Sequence, residues 1–350
     1  MKESLEARIT QQVAADGMPA KFVELQNSHG MTVSFMDIGA TWLSCRLPLP
    51  EGELREVLLG VGTMAQFNEH TSYMGATVGR YANRIANGQV SIAGKTYQLS
   101  QNQAGNCHHG GSEGFDKRRW AIQHQSLQQV TFTLDSKDGD QGFPGNLTVS
   151  VTYSLTEENE VEVVYRATTD KATPIGLTNH AYINLSSQQS DCLTHQLVID
   201  ADYYAPTTDK GIPLGMLSTV SETSFDFRVA KPIGDDLLQD DQQRMAKGYD
   251  HSYLLNPDRD KSIPVARLVA PDGSVTLSIV TDKPGLQLYT GNWLAGQPCR
   301  EGGTYDNYAG VALETQFLPD SPNQLEWPQP SCILQPDQEY RYQTTFCFDF

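Results

Sequence analysis

Positive charge is what this chain has least of. Its 350 residues carry 25 Lys and Arg against 42 Asp and Glu, a formal net charge of -17. A field of that sign repels nucleic-acid phosphates and anionic membrane surfaces, which argues against both as partners. A neutral, polar small molecule is indifferent to the sign, whereas an anionic one needs a local basic pocket. Cysteine is also sparse. The six (Cys45, Cys107, Cys192, Cys299, Cys332 and Cys347) form no CxxC pair and no zinc-type spacing, so neither a disulfide framework nor a zinc site is expected. Reduced thiols and a cytoplasmic location are the expectation. No apolar run approaches the ~20 residues of a membrane span, and the N-terminal MKESLEARITQQVAADGMPA lacks an apolar signal core. Missing too are a GxGxxG after a strand, a Walker loop, a GxSxG elbow and an HExxH pair, and no metal is expected.

What the chain does have is period-two alternation. Leu147, Val149, Val151, Tyr153 and Leu155 alternate with polar partners, as a half-buried strand requires. Val130, Phe132 and Leu134 repeat the pattern, as do Val275, Leu277 and Ile279, and the C-terminal Tyr342, Thr344, Phe346, Phe348 and Phe350. Further strands are predicted over 31–36, 42–47, 55–59, 89–92, 96–99, 161–167, 196–200 and 286–290, with turn chemistry such as Asn87-Gly88, Pro144-Gly145 and Asp272-Gly273 between them. The clearest helix signal runs from Ile233 to Lys247 and stops at Gly248. Many short strands and few helices predict an all-β antiparallel sandwich or barrel rather than a parallel βαβ sheet. No repeat or linker divides the chain, so a single domain over 1–350 is expected.

Five segments place polar residues in apolar or tightly turned contexts. In GRYANRIANG, Arg80 and Arg84 flank Asn83. A guanidinium offers five donors in a fixed fork, so each arginine either grips ligand oxygens or forms a structural ion pair. In CHHGG, neighbours on an extended chain point to opposite faces, so His108 and His109 are not expected to share a ligand. The two glycines allow close backbone approach and favour His109 as the site-facing member. In GLTNHAYINL, His180 stands between Asn179 and Tyr182 in an apolar run. It is either a satisfied core histidine or a proton donor. In KGYDHSYLL, Asp250 either accepts from ligand hydroxyls or stabilises a turn. In VALETQFLPDSPN, Glu314 follows an apolar run, and burial would raise its pKa and poise it as a base near neutral pH. A buried ion pair to Arg84 or Arg80 is the structural alternative.

In these segments the chain resembles the aldose 1-epimerase (galactose mutarotase) family, over almost its whole length. ANRI with its NG turn, HGG, TNHxYxNL, GYDH, PGLQLYTGNWL and LETQFLPDSPN occur in the family's order, and the overall similarity is to the bacterial galactose mutarotases. The resemblance implies a large antiparallel β-sandwich with a sugar cleft, and cofactor-free interconversion of anomers. It implies Glu314 as general base at the anomeric hydroxyl, His180 as general acid at the ring oxygen, and His109 as a second histidine at that end. Asn83, Arg84, Asp250 and Gln287 match substrate-binding positions. One departure is visible: where the family commonly has leucine before HGG, this chain has His108, at a position expected to face away from the cleft.

Two other readings stay open at this stage. A non-catalytic sugar sensor on the same scaffold has no use for a base–acid pair, so the presence of both Glu314 and His180 favours the enzyme. An epimerase of phosphorylated hexoses needs a basic cluster, for which only Arg80, Arg84 and the run Lys117-Arg118-Arg119 are available.

Overall fold

Strands form where the alternation is strongest. In the computed structural model, which describes residues 3–187 and 190–350, the strand Leu147–Leu155 buries every odd position and leaves most even ones partly exposed. It pairs along its length with Gln129–Ser136 on one side and Glu160–Thr169 on the other. These lie in a nine-stranded sheet among the described residues. Tyr340–Asp349 continues it beyond Glu160–Thr169, followed by Thr276–Thr281 and Ala266–Val269. The C-terminal strand therefore sits in the middle of the sheet, between segments far away in sequence.

A second sheet runs in the order Tyr182–Ile183, Val311–Gln316, Gly285–Tyr289, Asp250–Leu254, Tyr203–Ala205, Ser218–Thr219, antiparallel at every pairing. Its Leu286, Leu288, Val311 and Leu313 share one core with Val149, Val163, Ile279 and Phe346 of the large sheet. Thr315 Oγ1 bonds Thr344 Oγ1 across the layers at 2.6 Å. The protein is thus mostly strand, an antiparallel β-sandwich. A four-stranded N-terminal sheet, from Phe22–Gln26 to Leu54–Glu56, packs into the same core.

Helix is short and differs from expectation. Only Asp241–Ala246 of the predicted 233–247 segment is helical, with Asp240 accepting from the Gln243 N–H at its start and Lys247 left-handed at its end. Leu238 has φ 62°, which no helix tolerates. Ile233 and Gly234 donate their N–H groups to His195 and Leu193 instead of to a helical ladder. Two more short helices, Leu5–Thr10 and Met64–Glu69, each open on a side-chain cap, Ser4 and Thr63 respectively.

Arg80 is structural, but through neutral acceptors rather than the ion pair expected. Its side chain is buried, and its guanidinium donates to Pro144 O, Gly145 O, Thr173 Oγ1, Ser136 O, Ser136 Oγ and Lys137 O at 2.6–3.3 Å. Arg80→Met leaves those acceptors unpaired in the interior. Urea denaturation should show a loss of about 3 kcal/mol of stability, and an unchanged midpoint would contradict this role.

Candidate active site

The second sheet carries a polar row on the face away from the core. Register sets it: Ser252 is opposite Gln287 and Gln287 opposite Glu314, while Asp250 is opposite Tyr289 and Tyr289 opposite Ala312. Because side chains alternate, Val311, Leu313 and Thr315 enter the core and Glu314 must emerge on the other face. A cleft of about 340 Å³ opens there, lined among others by Glu314, Asp250, Tyr182 and Tyr289 from this sheet.

Loops from the opposite wall bring the remaining side chains. Asn83 and His109 both hold left-handed backbone, at φ 62° and 49°, conformations that Asn and His accept more readily than most residues. They clasp each other. The His109 N–H donates to Asn83 O at 3.0 Å, and the Asn83 N–H donates to His109 Nδ1 at 3.1 Å. With Nδ1 accepting, the ring hydrogen of neutral His109 belongs on Nε2. His180 is fixed through its main chain, with its N–H donating to Ala76 O at 3.0 Å and its carbonyl accepting from Gly75 N at 2.9 Å. A Cβ on Gly75 would meet Trp42 O at 2.0 Å, so only glycine permits that approach.

The two ends of the cleft differ in chemistry. At one, His180 Nε2 lies 3.6 Å from Glu314 Oε1, too long for a hydrogen bond but close enough to share an inserted ligand. Among the described residues, His180 Nδ1 and Glu314 Oε2 are buried without a hydrogen-bond partner. Burial, reinforced by the Asp250 charge, pushes the Glu314 carboxyl up to about 8. Burial pulls the His180 imidazole down to about 4, and holds His109 well below the usual histidine range. At the other end, Arg84 Nη2 lies 3.7 Å from Asp250 Oδ2, and Arg84 Nε donates to Gln103 Oε1 at 2.7 Å.

Six of the seven residues singled out in the sequence line this cleft: Asn83, Arg84, His109, His180, Asp250 and Glu314. Gln287 stands behind them. Its amide donates to Asp250 Oδ1 at 2.6 Å and its carbonyl accepts from the Ser252 hydroxyl, so it braces Asp250 rather than facing the cavity. Among the described residues Glu314 forms no arginine ion pair. His108 is a correction. It lines the cleft beside His109, because the left-handed backbone at His109 cancels the alternation that would have turned it away. Tyr73 and Gln103 were missed. Tyr73, at φ 58°, packs its ring 4.5 Å from that of His109 and 5.8 Å from that of His180, and no local pattern announces it.

A β-sandwich whose cleft joins a buried carboxyl–imidazole pair to an Arg–Asp grip defines the class: an acid–base site for a small polar ligand. Residues 21–347 match the aldose 1-epimerase family. The aldose 1-epimerases of Haemophilus influenzae and Escherichia coli K12 are 50% and 48% identical to it. They cover 96% and 97% of this chain and 97% and 98% of their own lengths. The crystal structure of a GalM/aldose epimerase homologue from C. elegans superposes with TM-score 0.87 at 28% identity, over 94% of this chain and 99% of its own. The chain belongs to the aldose 1-epimerase family.

The raised pKa of Glu314 has a stability consequence. Unfolded, the group loses its proton near 4.5; folded, it keeps it to about 8. The folded state therefore binds more protons across that window, and stability falls as pH rises through it. Glu314→Gln, which cannot ionise, should melt about 3 °C or more above wild type at pH 8.5, with the advantage shrinking towards pH 5. Calorimetric scans at the two pH values check this, and a pH-independent difference would count against the buried-carboxyl account.

Proposed function

We propose that the protein is an aldose 1-epimerase that interconverts the α- and β-anomers of free hexoses, galactose and glucose, by general acid–base ring opening and closure. The observation that carries the reading is the buried pairing of Glu314 with His180 across 3.6 Å. Ring opening removes a proton from the anomeric hydroxyl and delivers one to the ring oxygen. Glu314 as carboxylate takes the first, and His180 as imidazolium gives the second. The C1–C2 bond then rotates, the other carbonyl face is presented, and closure runs both transfers backwards. No cofactor enters this scheme.

Ring opening and ring closure each comprise two transfers and leave the pair with one proton in total. With the ring closed and poised to react, that proton is on His180; in the open-chain state it is on Glu314. Burial favours the second arrangement, since it pushes Glu314 up and His180 down. The charged arrangement is therefore strained relative to the neutral one, and each member is a stronger base or acid for it. His109, with its Nε2 hydrogen, is suited to donate to the ring oxygen end. Arg84 and Asp250 hold the sugar's other hydroxyls, with Asn83 beside them and Gln287 bracing Asp250.

A sugar phosphate is the less favoured substrate. Arg118 is bound to Asp140, and Arg119 to Asp16 and Asp37, so both arginines of that basic run are engaged in ion pairs, and Lys117, like them, does not line the cleft. A non-catalytic sugar sensor would have no use for a carboxyl and an imidazole driven in opposite directions. The six free cysteines accord with a reducing cytoplasm, where the reaction would serve hexose metabolism.

Polarimetry of freshly dissolved α-glucose and α-galactose tests the reading. Wild type should speed equilibration beyond buffer, and Glu314→Gln should lower kcat by about 100-fold or more. A full rate in Glu314→Gln would remove the base assignment. His180→Asn should lose a similar factor with its circular dichroism intact; loss of fold would make His180 a core residue. The pH profile follows from the proton count. Above about 8 the pair loses its only proton, and below about 4 it holds two. Hence kcat/KM should be bell-shaped with limbs near those values, and a flat profile from pH 4 to 10 would contradict it.

A further inference from the structure

His108 is a cleft residue that the acid–base scheme leaves without a task. Its backbone is fixed on both sides. Asn102 accepts from its N–H at 2.8 Å and donates to its carbonyl at 2.9 Å, and the residue pairs with Arg84 across a short antiparallel bridge. Its ring lies 3.8 Å from that of His109, centroid to centroid, and edge-on to Tyr73 at 5.8 Å. The ring packs against these two neighbours, yet it lines the cavity, and among the described residues neither of its nitrogens is hydrogen-bonded. Those nitrogens are open to the cavity, where a bound ligand can complete their bonds.

The chemistry of the ring says what would complete them. Burial, and the neighbouring His109, Arg84 and His180, keep this imidazole well below the usual histidine range, hence neutral. A neutral imidazole has one donor and one acceptor nitrogen, and a hydroxyl likewise gives and takes. The leucine common at this position in the family would offer neither. His108 lies against His109 on the wall and Arg84 on the strand beside it, not against Glu314, which places it along the sugar's edge between the reacting and gripping ends.

We propose that His108 is a specificity-determining residue of this cleft that hydrogen-bonds a hydroxyl of the bound sugar directly. The proposal rests on the epimerase reading for its kinetic test but not for its binding test. His108 moves no proton in the reaction; it selects which hydroxyl pattern is held well.

The experiment compares wild type, His108→Leu and His108→Gln by polarimetry on galactose, glucose and their monodeoxy analogues. His108→Leu should raise KM for at least one of the two hexoses about 3- to 10-fold, with kcat changed less than about threefold. His108→Gln, which keeps a donor and an acceptor, should recover most of the loss. The penalty should disappear for the one deoxy analogue that lacks the partner hydroxyl. Three results would overturn the proposal: unchanged KM for both hexoses in His108→Leu, an equal penalty on every deoxy analogue, or a fall in kcat at constant KM. The last two would mean that the ring merely packs beneath His109. Should His108→Leu not fold, the same deoxy series on His108→Gln decides, since the altered donor geometry must still single out one hydroxyl. Calorimetric titration of galactose and glucose into Glu314→Gln, with and without His108→Leu, separates the two readings. Weaker binding of a hexose on adding His108→Leu, alongside a wild type that does not epimerise, would overturn the epimerase reading alone. Equal binding of both would overturn the His108 proposal whatever the activity.

Discussion

The structure depends on keeping one carboxyl, that of Glu314, on the far side of a strand whose six residues are all buried. Val311, Leu313 and Thr315 anchor the strand in the core, and the period of two then leaves Glu314 no other direction. A slip of one residue would put Leu313 in the cleft and a carboxylate in the core. The neighbouring strands guard against it. Pairing with Gly285–Tyr289 through five residues sets Gln287 beside Glu314, and Gln287 in turn holds Asp250. The core packing of the sandwich and the order of the polar row are thus one constraint seen from two faces.

Burial that is costly for the fold is useful for the reaction. In water a carboxyl and an imidazole settle with the proton on the histidine. Here desolvation reverses that order, and the neutral pair becomes the resting arrangement. This is also the arrangement reached when the sugar ring is open. The reacting arrangement is the charged one, in which two opposite charges at 3.6 Å offset part of each other's desolvation. The protein therefore stores acid and base strength in the same removal of water that lowers its stability at alkaline pH.

Much of this was legible in the sequence. Leu147–Leu155 coincides with the alternation that announced it, because a strand packed on one face leaves period two in its residues. Glu314, His180 and His109 stood out as polar groups in apolar or glycine-rich settings, and the family motifs carried the order of the site. What escaped reading came from backbone that breaks the local pattern or from partners distant in the chain. Non-glycine residues at positive φ, Leu238, His109 and Tyr73, ended a predicted helix, turned His108 inwards and placed a tyrosine beside two histidines. Arg80 and Arg84 look equivalent four residues apart. The first finds acceptors near residues 136–145 and becomes structural, while the second finds Gln103 and Asp250 and stays in the cleft.

Recognition and reactivity are coupled in this cleft through charge. Asp250 raises the proton affinity of both Glu314 and His180, and Arg84 lowers that of Glu314. At Glu314 the two act in opposite directions, with Asp250 the larger. A sugar hydroxyl that donates to Asp250 withdraws part of its negative potential and shifts the balance towards Arg84. That change eases ionisation of Glu314, the proposed base, and at the same time lowers the proton affinity of His180, the proposed acid. A hydroxyl bound at Asp250 thus tunes both members of the pair together. An anionic ligand bound at the same arginine would oppose it by cancelling the positive charge. In a chain of net charge -17, this arginine beside a carboxylate gives the site polarity without a standing positive patch, and the neutral hexose of the proposed reaction brings no charge to upset that balance.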